Sequence, residues 1–227
     1  MVRRALPSSL FFSLFVIGCS GPSFTPAALP QLAAVDATKP QLLHVPKLLL
    51  EPGEHFAFNV RLHGIEIGRA ELDVTATQAA SKFKTNDVAG AFATVQDEST
   101  TTLDRVGARA AASTEVLIVD GDTKTFDHGN GGQSVHTALG VIRAWAKPGA
   151  APGFLMIDAA GKSWRLDLSR PTVEDLQGTH ALRVDGRVRS EKPIAFVMWL
   201  AASDDRTPLR IELSNDDVLV VADLVRE

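Results

Sequence analysis

The residues of this chain able to do chemistry are one cysteine, six histidines and several neighbouring aspartates. Cys19 is the single thiol in 227 residues. It ends the run Leu10-Phe11-Phe12-Ser13-Leu14-Phe15-Val16-Ile17-Gly18, behind Arg3-Arg4. A positive start, a short apolar stretch and a small residue at the cut make a secretory signal. A cysteine directly after that small residue predicts a specific modification. A diacylglyceryl group is attached to the sulfur, the chain is cut between Gly18 and Cys19, and the new amine takes an acyl chain such as palmitate. The stretch Val16-Ile17-Gly18-Cys19 is similar to the bacterial lipobox. A lone thiol has no internal disulfide partner, and the run is too short for a bilayer span, which needs about 20 residues. Several acyl chains on Cys19 make a permanent tether, because one chain alone holds weakly. The expectation is a 1–18 lipoprotein signal peptide and a membrane partner reached through lipidated Cys19. Ser20, where an Asp would signal retention, points by resemblance to the outer membrane, facing the periplasm.

The other chemical groups predict less. His128 and His136 lie near Asp127, with Gly129-Asn130-Gly131-Gly132 between them. A metal site needs three or four converging ligands. Two histidines and a carboxylate at no recognised spacing predict no metal and read as surface-loop residues. His55 alternates out of a strand and His63 sits in a turn, neither with an evident partner. Asp204-Asp205, Asp216-Asp217, Asp120 and Asp122 fall in expected turns, where Asp is favoured for its own backbone hydrogen bonds. Neighbouring side chains of an extended chain also point to opposite faces. There is no Gly-x-Ser-x-Gly elbow, and the glycine stretch lacks the Lys-Ser/Thr ending of a phosphate loop. No catalytic residue and no cofactor is assigned. Phe56, Phe58, Trp145 and Trp199, with Trp164 and Phe196, are the candidates for lining an apolar pocket. They serve equally as the filling of a dry core, the commoner use of such residues.

These residues must be held by a mainly β scaffold. Phe56, Phe58, Val60 and Leu62 alternate with polar neighbours at the period of a half-buried strand. His63-Gly64 turns the chain into a second strand whose apolar set, Ile65 and Ile67 and then Ala70, Leu72 and Val74, changes parity at Gly68. An inserted residue is needed there to keep the apolar set inward, so a β-bulge is predicted. Further strands are expected at 92–96, 100–106, 115–119, 123–127, 154–157, 163–168, 180–189, 194–200, 209–213 and 218–224. Hairpins are expected at Asp120-Gly121, Ala160-Gly161 and Asn215–Asp217. That makes a strongly curved antiparallel sheet or incomplete barrel of about ten strands. Val135, Ala138, Leu139, Ile142 and Trp145 recur at helical spacing behind Ser134, a plausible N-cap. A helix over 134–145 is predicted to fill the concave face, and a second helical turn is expected at 172–177.

Five prolines between Pro22 and Pro46 mark 19–50 as an extended tether. Its apolar end, Leu42 to Leu50, is expected to lie along a sheet edge, since such a patch is costly to expose. The folded domain spans 51–227. Net charge is −4, falling to −6 once Arg3 and Arg4 are removed, and no basic block follows the signal. That excludes nucleic acid, whose phosphates need a basic stripe.

Pro52-Gly53-Glu54 before an aromatic strand, Gly64-Ile65-Glu66-Ile67-Gly68-Arg69-Ala70, Ile142-Arg143 ending the helix, Pro148-Gly149, and Met198-Trp199-Leu200 leading to Asp204-Asp205-Arg206-Thr207-Pro208-Leu209 occur in this order. In this they resemble a bacterial envelope family, domain of unknown function 3108, over about 51–227. The chain has Phe where members usually place Tyr at 56 or 58. The resemblance implies an exported β-rich lipoprotein with no assigned reaction. The function expected is a membrane-anchored, non-enzymatic binding or scaffold module with an envelope protein as partner. The alternative is a carrier or sensor holding a hydrophobic small molecule or lipid in a half-barrel. A third reading, an envelope hydrolase, requires a cleft with converging polar groups of perturbed pKa.

Overall fold

The computed structural model describes residues 40–129 and 132–225. Cys19 and its signal, Ser20, the tether up to residue 39, Asn130 and Gly131 lie outside the described residues. Fourteen strands are present among those described. They are β1 (Gln41–Leu42), β2 (His55–Leu62), β3 (Ile65–Val74), β4 (Gln78–Thr85), β5 (Val95–Asp104), β6 (Arg109–Val119) and β7 (Asp122–His128), then β8 (Gly153–Ala159), β9 (Lys162–Leu168), β10 (Thr172–Leu176), β11 (Thr179–Arg189), β12 (Ile194–Ala201), β13 (Pro208–Ser214) and β14 (Leu219–Leu224). Two helices accompany them, α1 (Asp87–Gly90) and α2 (Val135–Trp145).

The strands build one sheet in the order β1-β8-β9-β11-β12-β13-β14-β2-β3-β4-β5-β6-β7, with β10 beside β11. Every pairing is antiparallel except β1 with β8. Four hairpins turn on two residues that both have positive φ: His63-Gly64, Asp120-Gly121, Ala160-Gly161 and Gln177-Gly178. That is the backbone of a type I′ turn, whose twist matches that of the strands it joins. The predicted bulge is present. Val60 pairs with Gly68 but Arg61 pairs with Glu66, so Ile67 is the extra residue. Gly68 is required there, because a Cβ would run into the Lys84 carbonyl of the next strand.

Several expectations are corrected. The strand count is fourteen, not about ten: β4 and β10 had no counterpart, and 92–96 and 100–106 merge into the single β5. The segment starting at Leu42 does lie on a sheet edge, where β1 pairs with β8. Residues 172–177 are not a helical turn. They form β10 and enter its hairpin, because Gln177-Gly178 supplies the I′ loop and β11 offers a free edge. Phe92 is 84% exposed before β5, and Ile65, the first residue after the His63-Gly64 turn, is 59% exposed although Ile67 on the same parity is buried.

The sheet curls so far that its ends nearly meet. Gln133, just past β7, makes an isolated parallel bridge to β8. Its N–H donates to the Met156 carbonyl at 3.0 Å, and its own carbonyl accepts from the Asp158 N–H at 2.8 Å. Inside this curl lies α2, capped by Ser134, whose Oγ accepts from the Thr137 N–H at 3.2 Å. Eight of its eleven residues are buried, the mark of a helix surrounded by its domain rather than lying on it. The segment leading into β2 closes one side. Leu48 and Leu50 are fully buried against α2, and the Leu49 N–H donates to the Gly140 carbonyl at 3.1 Å. Gly140 makes that approach feasible, since a Cβ there would sit 2.9 Å from Leu50.

Candidate functional site

The interior between α2 and the sheet is not filled. A cavity of about 130 Å3 lies against Val135, Ala138, Leu139 and Ile142 of the helix. Space for one water centre is roughly 10–15 Å3, so this is room for a ligand-sized group. The opposing wall is apolar: Phe58 from β2, Phe196 and Met198 from β12, Ile211 and Leu213 from β13. These positions are inward by simple alternation, since each strand places every second residue on one face.

The other end of the cavity is polar. On β5 the inward parity reads Val95, Asp97, Ser99, Thr101, Leu103, all buried. On β6 it contributes Ser113 and Glu115, paired across from Thr101 and Ser99. Asp97, Ser99, Ser81 of β4 and His136 of α2 border the cavity.

His136 anchors this region, and its position corrects the surface-loop reading: it is 3% exposed. Its Nδ1 lies 2.8 Å from Thr101 Oγ1 and its Nε2 2.9 Å from Ser81 Oγ. Thr101 gives its one proton to Ser134 Oγ at 2.9 Å. The hydrogen-bond network therefore assigns the imidazole proton to Nδ1, leaving Nε2 to accept from Ser81. Burial pushes the imidazole pKa down to about 4, so the ring is neutral at physiological pH. His128 is also mostly enclosed, its Nε2 3.9 Å from Glu115 Oε2.

The two acids behave oppositely to surface carboxylates. Burial, then the nearby Glu115 and Glu98, pushes Asp97 up to about 8. Burial pushes Glu115 up to about 7, opposed by the hydrogen bond it accepts from the Ala160 N–H at 3.0 Å. Asp97 is 0% exposed, and neither of its oxygens has a hydrogen-bond partner among the described residues. No lysine or arginine among the described residues lines the cavity. Among the described residues there is also no cluster of three metal-ligating side chains.

The aromatic candidates separate. Phe58 and Phe196 line the cavity. Phe56 is buried under the Arg143 guanidinium, 5.1 Å from its ring centre. Trp145 packs in the core and donates to the Ala151 carbonyl at 3.1 Å, while Trp164 donates to the Ala159 carbonyl at 3.2 Å. Trp199 is corrected: it lies on the outer face with Ala181 and Val197, between Arg183 and Arg210, and donates to Glu174. Strand β12 is buried on both faces, so its odd-numbered residues pack outside.

The remaining candidates are structural. Arg143, fully buried, holds Glu54 with both ends of its fork at 2.9 and 2.6 Å and donates to the Asp205 and Arg206 carbonyls. Thus Pro52-Gly53-Glu54, Ile142-Arg143 and the 204–208 turn, far apart in sequence, meet at one buried ion pair. Asp205 is held below the usual carboxylate range by hydrogen bonds from Ser203 and Thr207. His55 lies 2.7 Å from Asp73, and His63 Nε2 lies 3.1 Å from the Asp217 carbonyl, both exposed.

Sequence reasoning missed Asp97, Ser99, Thr101, Ser113 and Glu115. The signal was there: a polar inward parity bracketed by Val95 and Leu103 on the same face.

Such a curled sheet around a buried helix places the chain among β-barrel-like proteins. A crystallised β-barrel-like protein of domain of unknown function 1849 from Brucella abortus matches it with TM-score 0.51 and 12% identity, covering 83% of this chain and 98% of that one. A putative exported protein with a YmcC-like fold from Bacteroides fragilis aligns with TM-score 0.34 and 8% identity, over 82% and 98% of the two chains. The first likeness shows a shared fold and nothing of activity. No protein-family profile matches the chain, and no curated protein does.

Proposed function

We propose that this protein is a lipid-anchored envelope protein that binds a small apolar molecule inside its incomplete barrel, without catalysing a reaction. The observation that carries this reading is the cavity between α2 and the wall of Phe58, Phe196, Met198, Ile211 and Leu213. Ligand sites are concave and mostly apolar, with a few placed polar groups, and this interior has that composition. Of the readings open from sequence, the carrier or sensor therefore gains over the pure scaffold. Native mass spectrometry of the full chain carrying Cys19→Ala is expected to show a co-purified apolar molecule or uptake of one. A protein that neither retains nor takes up such a molecule overturns the proposal.

Anchoring rests on Val16-Ile17-Gly18-Cys19, and the motif order that resembles family 3108 fits an exported protein. Metabolic labelling with a fatty-acid probe tests the anchor: the wild-type chain takes up label and Cys19→Ala does not. Label on Cys19→Ala would remove the tether.

The hydrolase reading gains a Ser81–His136 contact, but two features oppose it. Nδ1 is held by the Thr101 hydroxyl rather than a carboxylate, and a ring titrating at about 4 is a poor base at neutral pH.

A further inference from the structure

We infer that the molecule held in the interior is an amphiphile with a single cationic amine head, seated on Asp97, with its chain along α2 and the Phe58–Phe196 wall. This rests on the interior being a binding site, as proposed above. Three features of the interior lead to it.

First, Asp97 is entirely buried, borders the cavity, and leaves both oxygens without a partner among the described residues. Buried polar groups are nearly always satisfied, so an orphan at a cavity wall marks where a partner is missing. Second, the charges around it have one sign. Beside Asp97 on β5 is Glu98, on β6 are Leu117 and Glu115, on β4 is Phe83, and on α2 the neutral His136. Glu115 and Glu98 both act on Asp97, and among the described residues no cation does. An anionic head such as a carboxylate or phosphate would meet two acids and no counter-charge, a costly arrangement in a low-dielectric interior. Third, Lys82 of β4, whose side chain is exposed, is paired with Glu71 at 2.8 Å, and Glu71 adds a further carboxylate, not a cation, to the residues bordering the cavity.

An ammonium supplies what is absent. Its N–H donors satisfy the Asp97 oxygens as charge-assisted hydrogen bonds, and its charge offsets the mutual repulsion of the two acids. Asp97, held protonated when the cavity is empty, releases its proton to solvent as the ammonium enters. Amine binding therefore strengthens as pH rises to about 8. A neutral alcohol would be favoured by the protonated acid and would show no such rise.

The test uses the full chain carrying Cys19→Ala and three probes of equal chain length, octylamine, 1-octanol and octanoate, titrated by calorimetry from pH 6 to 9. Octylamine stays protonated across this range, its amine titrating near about 10. Octylamine is expected to bind at least about tenfold more tightly at pH 9 than at pH 6, the limit being a factor of ten per pH unit below the acid's pKa. Octanoate is expected to bind weakest. Asp97→Asn abolishes the amine preference and its pH dependence. Glu115→Gln, which removes a repelling neighbour, moves the pH midpoint of amine binding downward. If at pH 9 1-octanol or octanoate binds as well as octylamine, or Asp97→Asn leaves amine affinity intact, this inference fails and the interior-binding proposal stands. If none of the three binds, both fail.

Discussion

Two walls of one interior are built to opposite rules. On β2, β12 and β13 the inward parity is Phe58, Phe196, Met198, Ile211 and Leu213, and it offers shape without direction. On β4, β5 and β6 it is Ser81, Asp97, Ser99, Thr101, Ser113 and Glu115, and it offers directed groups. The two are covered by the same helix, which turns Ala138 and Ile142 to one and His136 to the other. The difference shows where stability is made and where it is given up. The apolar wall gains from burial, of order 25 cal/mol per Å2. The polar wall offsets part of that gain with desolvated acids, a pattern expected where a site is maintained at the expense of packing.

The largest way to break the comparison is Phe196→Ala on the apolar wall, expected to cost about 3–5 kcal/mol by chemical denaturation. The lower half of that range is expected, because the residue already borders empty space. On the polar wall, Thr101→Val keeps the shape but strands the His136 Nδ1–H and removes one hydrogen bond from Ser134, which keeps the Thr137 N–H. A loss of about 1–3 kcal/mol is expected, and a neutral result would show the network to be dispensable.

Asp97→Asn tests the opposite sign. The folded value of about 8 lies above the ordinary 3.8, so the native state keeps a proton that the unfolded chain loses. Its contribution is complete below pH 3.8 and is lost as pH rises through 8. Glu115 acts likewise between 4.5 and about 7, while His136 acts in reverse, losing its contribution as pH falls from 6.5 toward 4. The slopes oppose each other below pH 6.5, and above it only the acids remain. Wild-type Tm is therefore expected to fall from pH 6.5 to 8, and Asp97→Asn to flatten that fall, with a gain of roughly 2–4 °C at pH 8. A variant less stable than wild type at pH 8 would overturn the assignment of Asp97 as a desolvated acid. The smallest effect is expected outside both walls. His55→Gln at the exposed Asp73 pair should change stability by about 0.5 kcal/mol or less, as surface pairs do.

Much of this was legible along the chain. The parity slip at Gly68 located the bulge to within one residue, the inserted residue being Ile67, because a one-residue insertion is written directly in the alternation. Helical spacing from Val135 to Trp145 and the Ser134 cap gave α2, and three of four I′ loops stood out as X-Gly between apolar runs. Gln177-Gly178 did not, since Thr172 to Leu176 is too polar for strand periodicity and becomes a strand only by pairing with β11. The site was the least legible. Asp97 and Glu115 sit on strands whose polar inward face looks like an outward one until the sheet curls around α2. His136 looked exposed beside a glycine-rich loop for the same reason.

By itself, then, the sequence determined the local features: the turns, the bulge, the helix, and the expectation of a lipid anchor at Cys19. Each depends on residues a few positions apart. Only the tertiary structure decided which face of β4, β5 and β6 is inside, brought Glu54, Arg143 and the 204–206 turn together, and left Asp97 unpaired beside an apolar cavity. Those outcomes require β6 and β7 to meet the far end of the same sheet at Gln133, and no local pattern encodes a closure across that distance.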